Sequence, residues 1–398
     1  MTVMLCLEHK FYFDDKRNEL FSQKVINDDI LLRYTSVFEK VAICARQLEH
    51  KPENAIKIMN RDVMLIGLPN YSFPDLIINR RMIQKTIFDN SKNIDGYIIR
   101  SPSTISYLAY TIAKKSKKPI MTELVINPAN FFYSDKNDSF LRKVLNVFCR
   151  RYAIFHTKSL CKHSNAVLYV TKENLQNVFK SYDMINGEDS SHFSVACSDV
   201  ILPLKNFNND YPIHKKDDNF TICHIGWMNG LNKGHMVVMD ILKKLLINGY
   251  KCDVVFIGDG VKKECFIQYA EKLNITGNVK FLGQLNSFEA IQTVFKTSHL
   301  FLFPSVNEGL PRVLLEAMAN SVPCVAYRTD GIPELIDAEW LADIGDTDRL
   351  YNIVVKLYCN EILRRKVIIE NYNKAKWYED TKLAPIRFQF YKNFKALL

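Results

Sequence analysis

The chain has 398 residues, 47% of them hydrophobic, which is ordinary for a soluble globular protein and is enough for two domains, since one core stops growing beyond about 250–300 residues. Its net charge of +10 favours an anionic partner (nucleic acid, anionic lipid or a phosphate-bearing substrate) without choosing among them. Ten scattered cysteines with no CxxC argue against a zinc module or a disulfide scaffold, no apolar run approaches the ~18–20 residues that span a bilayer, and residues 1–7 are too short for a signal segment, so a cytoplasmic protein is expected.

In chain order, short apolar runs at 3–7, 41–45, 63–68, 97–99, 119–125 and 166–170 predict strands. Helical spacing falls between them at 103–113, after a Ser-Pro-Ser start, and at 140–161. The polar stretch 205–219 has no periodicity and reads as a linker. A second alternating set follows, with strands at 220–225, 253–257, 279–282, 300–304 and 324–327. The helices of that set fall at 235–248, 261–273, 288–297 and 311–319, and the tail from 350 is helical. Alternation of this kind predicts α/β architecture: two Rossmann-like, doubly wound parallel sheets facing across a cleft. The expected domains are 1–210, 211–375, and a C-terminal helix, 376–398, packing back on the first.

Ligands of such sheets bind beyond the carboxyl ends of the strands. The exit of the strand at 300–304 carries Glu308, Gly309 and Leu310, then Pro311 and Arg312 at the start of a helix that includes Glu316. Pro311 fits the first helical position. Free backbone N–H groups around Leu310 and Arg312, with the helix dipole, make a phosphate site. A carboxylate on each side of it suits the hydroxyls of a sugar and a ribose, and so predicts a nucleotide-sugar. Taken singly, Glu308 also reads as a solvated loop residue, and Glu316 as the outer face of an amphipathic helix. Gly226, Trp227 and Lys233 lie in the Gly-rich exit of the strand at 220–225, where the lysine can balance diphosphate charge; alone this is also an ordinary turn with an exposed lysine. Gly331, Gly258, Gly260 and Gly283 with Gln284 lie in further strand exits, positioned for backbone contacts or for simple turns.

The spacing Glu308-x7-Glu316, the following VPCVAYRTDGIPEL, and Gly226 with Lys233–Gly234 resemble the C-terminal domain of the retaining glycosyltransferases of family 4, which have the GT-B fold. The resemblance covers roughly 220–379. It extends weakly into the first half, where RSPSTISYLAYTIAKKSKKPIMTELV and LYVTKENLQNVF resemble a subgroup that assembles surface polysaccharides. It implies that Lys233 neutralises the donor diphosphate, Glu308 contacts the transferred sugar or its phosphate side, and Glu316 holds the ribose hydroxyls. It also implies that backbone of the Gly309–Leu310 loop and of Gly331 meets the sugar-diphosphate, and that no metal or other cofactor is needed. Trp227 stands where many members have arginine, a loss for which Arg312 is a candidate replacement. Asp330–Gly331 stands where Gly–Gly is common, and Thr122–Glu123 occupies the region of an acceptor-side histidine.

The expected reaction is retaining transfer of a hexose from a UDP-, GDP- or ADP-sugar. The acceptor is a hydroxyl of a glycan or a polyprenyl-diphosphate-linked glycan, in O-antigen or capsule synthesis. Same-face attack, assisted by the leaving diphosphate, fits better than a two-carboxylate displacement, because Glu316 is committed to the ribose side. Arg142, Lys143, Arg150, Arg151, Lys158 and Lys162, interleaved with Phe140, Phe148, Tyr152 and Phe155, make an anionic membrane surface a candidate partner. The same periodicity fits a solvated basic face over a buried apolar one. No nucleic-acid motif accompanies the charge. A nucleotide-sugar epimerase of the same fold and a non-catalytic nucleotide-sugar-binding protein remain alternatives.

Overall fold

The computed structural model describes residues 1–23, 26–71, 75, 78–130, 139–187, 189–210, 219–285 and 287–398. Compactness divides the chain into one unit of 1–199 with 384–398 and a second of 200–383.

The first unit is built on nine strands: β1 (Thr2–Asp14), β2 (Glu19–Gln23), β3 (Lys40–Gln47), β4 (Ala55–Ile58), β5 (Val63–Pro69), β6 (Gly96–Ser101), β7 (Ile120–Leu124), β8 (Ala166–Tyr169) and β9 (Phe193–Ala196). Seven of them run parallel in the order β5-β3-β1-β6-β7-β8-β9. β2 pairs antiparallel with the far half of β1, and β4 with β2. Side chains alternate across the sheet. Met4, Cys6, Ile99 and Ile120 join one buried cluster with Ile83, Ile87, Leu108, Ile112 and Leu160 from the helices Arg80–Asp89, Thr104–Ser116 and Phe140–His163. Thr104–Ser116 starts where the sequence indicates, because Ser103 Oγ accepts the Ser106 amide at 2.9 Å.

The segment 384–398 completes this unit through a buried polar knot. Glu123, 2% exposed, accepts the Tyr34 hydroxyl at 3.0 and 2.9 Å, the Tyr391 hydroxyl at 2.6 Å and Arg100 Nη1 at 2.9 Å. Arg100 also pairs with Asp199, whose carbonyl accepts Arg33 Nη2 at 2.9 Å. The strand-end residue placed by the sequence near the acceptor side is therefore fully engaged in structure.

The second unit holds six parallel strands: β10 (Phe220–Ile225), β11 (Cys252–Ile257), β12 (Val279–Phe281), β13 (Leu300–Phe303), β14 (Cys324–Tyr327) and β15 (Leu341–Ala342). Their order is β12-β11-β10-β13-β14-β15. The chain winds outward from β10 to β12, then returns to lay β13 against the other side of β10, with Ile222 opposite Leu300. The topological switch point thus lies between the exits of β10 and β13. The helices His235–Ile247, Lys263–Lys272, Phe288–Lys296 and Arg312–Ala319 connect these strands in turn.

Residues 206–208 do not form a free linker. The Asn208 amide donates to Ala319 O at 2.8 Å, and Asn206 O accepts Asn320 Nδ2 at 3.1 Å. Of the expected linker, 211–218 lies outside the described residues.

Removing the Glu123 carboxylate leaves two buried phenols unpaired and Arg100 with Asp199 alone. Glu123→Ala is expected to destabilise the first unit by about 3–5 kcal/mol, read as a lowered urea midpoint, with Glu123→Gln losing less.

Candidate active site

Five strand exits of the second unit, those of β10 to β14, are laced together by backbone. The Gly226 amide donates to Ile257 O at 3.0 Å, and the Gly258 amide to Gly283 O at 2.9 Å. The Val306 amide donates to Asn232 O at 3.0 Å, and the Gly331 amide to Gly309 O at 3.0 Å. Two glycines make this possible. A Cβ on Gly258 would stand 2.0 Å from Gly226 O, and one on Gly234 would stand 2.3 Å from Pro304 O; both have positive φ, +140° and +83°.

The lacing brings Lys233, from the exit of β10, onto Glu308, from the exit of β13, with Nζ 2.6 Å from Oε1. Glu308 is 9% exposed, and its Oε1 also accepts Ser305 Oγ at 2.6 Å. The solvated-loop reading of Glu308 does not apply. Ser305 was not singled out from sequence, although Ser305-x-x-Glu308 has the spacing of a capping box, which is the signal that could have found it.

Leu310 is buried and Pro311 is extended (φ −72°, ψ 116°), so the helix Arg312–Ala319 begins one residue later than expected, with Pro311 as its N-cap rather than its first residue. Proline offers no side-chain cap, and the first turn has none. That leaves a helix N-terminus able to meet an anion beside the Lys233–Glu308 exit loop. One turn on, Glu316 lies beneath with its side chain only 12% exposed and Arg312 Nε 3.3 Å from Oε1. Burial pushes its carboxyl up to about 7, with Arg312 opposing the shift. Arg312, itself 67% exposed, therefore attends Glu316 instead of reinforcing Lys233.

Gly331 has an ordinary backbone (φ −79°, ψ −4°); the positive φ, +39°, falls on Asp330. Glycine is not required at 331 by conformation, and its amide is committed to Gly309. Trp227 and Gln284 are exposed residues directly after Gly226 and Gly283, and neither side chain is brought onto the Lys233–Glu308 pair.

Below the Gly226 loop lie two buried histidines that the sequence reading did not use. His224 Nδ1–H donates to Leu302 O at 2.8 Å, and the His235 ring meets it edge-on at 4.6 Å while stacking on Phe266. Burial lowers both, His235 to about 4, so both are neutral imidazoles at pH 7 and add no charge beneath the lysine. A Cβ on Gly226 would meet both rings at 3.3 Å.

A parallel sheet with a lysine–glutamate pair at its switch point, an uncapped helix N-terminus and a desolvated carboxylate one turn behind fits a glycosyltransferase of the GT-B class. Residues 207–374, nearly all of the second unit, match the family model Glycosyl transferases group 1. Protein CapJ of Staphylococcus aureus is 27% identical over 389 residues, covering 97% of this chain and 93% of CapJ. The UDP-Gal:alpha-D-GlcNAc-diphosphoundecaprenol alpha-1,3-galactosyltransferase of Escherichia coli is 25% identical, over 55% of this chain and 57% of its own length. Among solved structures, Anabaena Alr3699/HepE in complex with UDP-glucose superposes with a TM-score of 0.64 at 14% identity, covering 100% of both chains, which shows a shared fold.

The Glu316 carboxyl keeps its proton in the folded state up to about pH 7, against 4.5 for the ordinary side chain. Stability on its account is therefore full below about pH 4.5, falls as pH rises to 7, and stays reduced above it. Glu316→Gln is expected to melt roughly 2–4 °C higher than the parent at pH 8, with the difference closing at acid pH in a thermal-melt series.

Proposed function

We propose that the chain is a retaining, metal-independent hexosyltransferase. Its donor would be a UDP-, GDP- or ADP-sugar, and its acceptor a hydroxyl of a glycan or polyprenyl-diphosphate-linked glycan in surface polysaccharide synthesis. The observation that carries the reading is the Lys233–Glu308 contact of 2.6 Å at the switch point, next to the uncapped start of Arg312–Ala319. The E. coli relative, by its name, uses a UDP-sugar donor and a diphosphoundecaprenol acceptor, and the Anabaena structure holds UDP-glucose. Both support the class of donor, and the first supports the class of acceptor.

In this reading the diphosphate sits at the helix N-terminus, against the backbone of Gly309 and Leu310. Lys233 Nζ has three hydrogens. One is held by Glu308, so two remain for the phosphate oxygens. Glu308 sets the position of the ammonium and faces the sugar, while Ser305 keeps its carboxylate from turning away. Glu316 accepts the ribose hydroxyls, which supply the partners that its buried carboxylate lacks. The acceptor hydroxyl attacks the anomeric carbon on the face from which the diphosphate departs. The new C–O bond forms as the bond to phosphate breaks, and the hydroxyl proton passes to a departing phosphate oxygen. The protein's contribution is orientation and the cation that receives the developing charge.

The first test is thermal shift against UDP, GDP and ADP and then their sugars. One nucleotide is expected to raise the melting temperature selectively, and no shift with any of them overturns the reading. In a transfer assay Lys233→Ala should lower kcat by about 10²–10³-fold in protein that still folds, with a lowered melting temperature from the Glu308 carboxylate left unpaired; normal turnover would remove the lysine from the mechanism. NMR of the product should show the donor's anomeric configuration, and EDTA should leave the rate unaltered.

A further inference from the structure

The helix Phe140–His163 has two apolar faces, and only one of them is used. Its buried residues are Ala153, Thr157, Leu160 and Cys161, all in the last eleven positions. At about 100° per residue these lie on one side. Roughly opposite runs a second stripe, Leu141, Leu145, Phe148, Tyr152 and Phe155, at spacings of four, three, four and three. Its members are 79, 60, 65, 49 and 69% exposed. An ordinary surface helix does not present three aromatics and two leucines in line to water.

The charge on the helix itself is of one sign. The helix carries Arg142, Lys143, Arg150, Arg151, Lys158 and Lys162, and no aspartate or glutamate. Arg151, Lys158 and Lys162 border the stripe on one side and Arg142 on the other, within about a quarter turn. Arg80, at the start of a neighbouring helix, acts electrostatically on Tyr152, adding a further cation beside it. The basic cluster Lys114–Lys118 lies elsewhere: Tyr107 meets Thr157 and Tyr110 meets Ser159, so these lysines follow beyond the His163 end.

We propose that this stripe docks the protein on an anionic lipid surface, with Leu141, Leu145, Phe148, Tyr152 and Phe155 entering the boundary between headgroups and acyl chains while the flanking cations meet lipid phosphates. The chemistry matches on both counts, since an apolar stripe bordered by cations is what an interfacial helix presents. The stripe spans about 20 Å at 1.5 Å per residue, and among the described residues no helix is long and apolar enough to cross a membrane, so the helix lies along the surface. A second copy of the chain is disfavoured as the occupant, because pairing two such helices would set cation against cation with no carboxylate on either to compensate. The proposal is independent of the donor chemistry, which belongs to the other unit.

The test is co-sedimentation of the full chain with vesicles of phosphatidylglycerol and phosphatidylethanolamine in equal parts, and with vesicles of phosphatidylcholine alone. Binding is expected to the first and not to the second, and to weaken with salt. The double variant Leu145→Glu, Phe148→Glu should lower the partition coefficient at least roughly tenfold, as should Arg151→Glu with Lys158→Glu if the first fails to fold. In either variant the melting temperature and its shift by nucleotide should match the parent. The proposal is overturned if the parent stays in the supernatant with anionic vesicles, or if the folded variants bind as it does. It is also overturned if sedimentation velocity shows a parent dimer that the double variant abolishes, which assigns the stripe to a second copy.

Discussion

Lys233 and Glu308 are 75 residues apart in sequence and 2.6 Å apart in the fold, and the character of the site follows from that contact. It exists because the chain, having wound three strands outward from β10, returns to place β13 on β10's free side. Neither partner would be tolerable alone in so covered a position. A buried ion left unpaired costs several kcal/mol, and the two charges meet that cost mutually only with a further hydrogen bond, which Ser305 provides. The exit loops must approach to backbone contact for this, which is why Gly234 and Gly258 stand where any Cβ would collide with a carbonyl.

The two carboxylates of the site are held in opposite ways. Glu308 is satisfied by a cation and a hydroxyl, so its geometry is set before any ligand arrives. Glu316 is desolvated with only a long, exposed arginine beside it, and its carboxyl sits near neutrality. One is a fixed point and the other an unmet acceptor. Environments that push like groups apart are how a site assigns different tasks to the same side chain.

Much of this was legible in the amino-acid sequence, and the failures have physical causes. The strands β10 to β13 read clearly because each is a short apolar run with a glycine or proline at or just beyond its end, and β10 and β14 fall at the expected residues. In the first unit β1 was expected only over 3–7, where the apolar run stops at Glu8, His9 and Lys10; the strand continues to Asp14, because its far half pairs with both β2 and β3 and buries Phe11. Glu308, Lys233 and Glu316 could be chosen by residue type and position, whereas their pairing could not, because which loops touch is decided by strand order. Gly331 was expected to offer its backbone to the ligand; its amide donates to Gly309 O, and the positive φ of that turn falls on Asp330. For Phe140–His163 the period was right, but a period does not say which of two apolar faces the body covers. Residues 206–208 lack periodicity, yet hydrogen bonds to the 319–321 turn hold them within the second unit.

The knot around Glu123 draws Tyr391 into the first unit, and nearby a Cβ on Gly96 would strike Leu398. The residues that finish that core are therefore translated after the whole of the second unit. During synthesis the earlier half must wait, with its glutamate lacking the Tyr391 hydroxyl, while the later half emerges and folds. Vectorial order is thereby inverted: the unit made first is the one completed last, and a premature stop close to residue 390 would injure the opposite end of the polypeptide from the one it truncates.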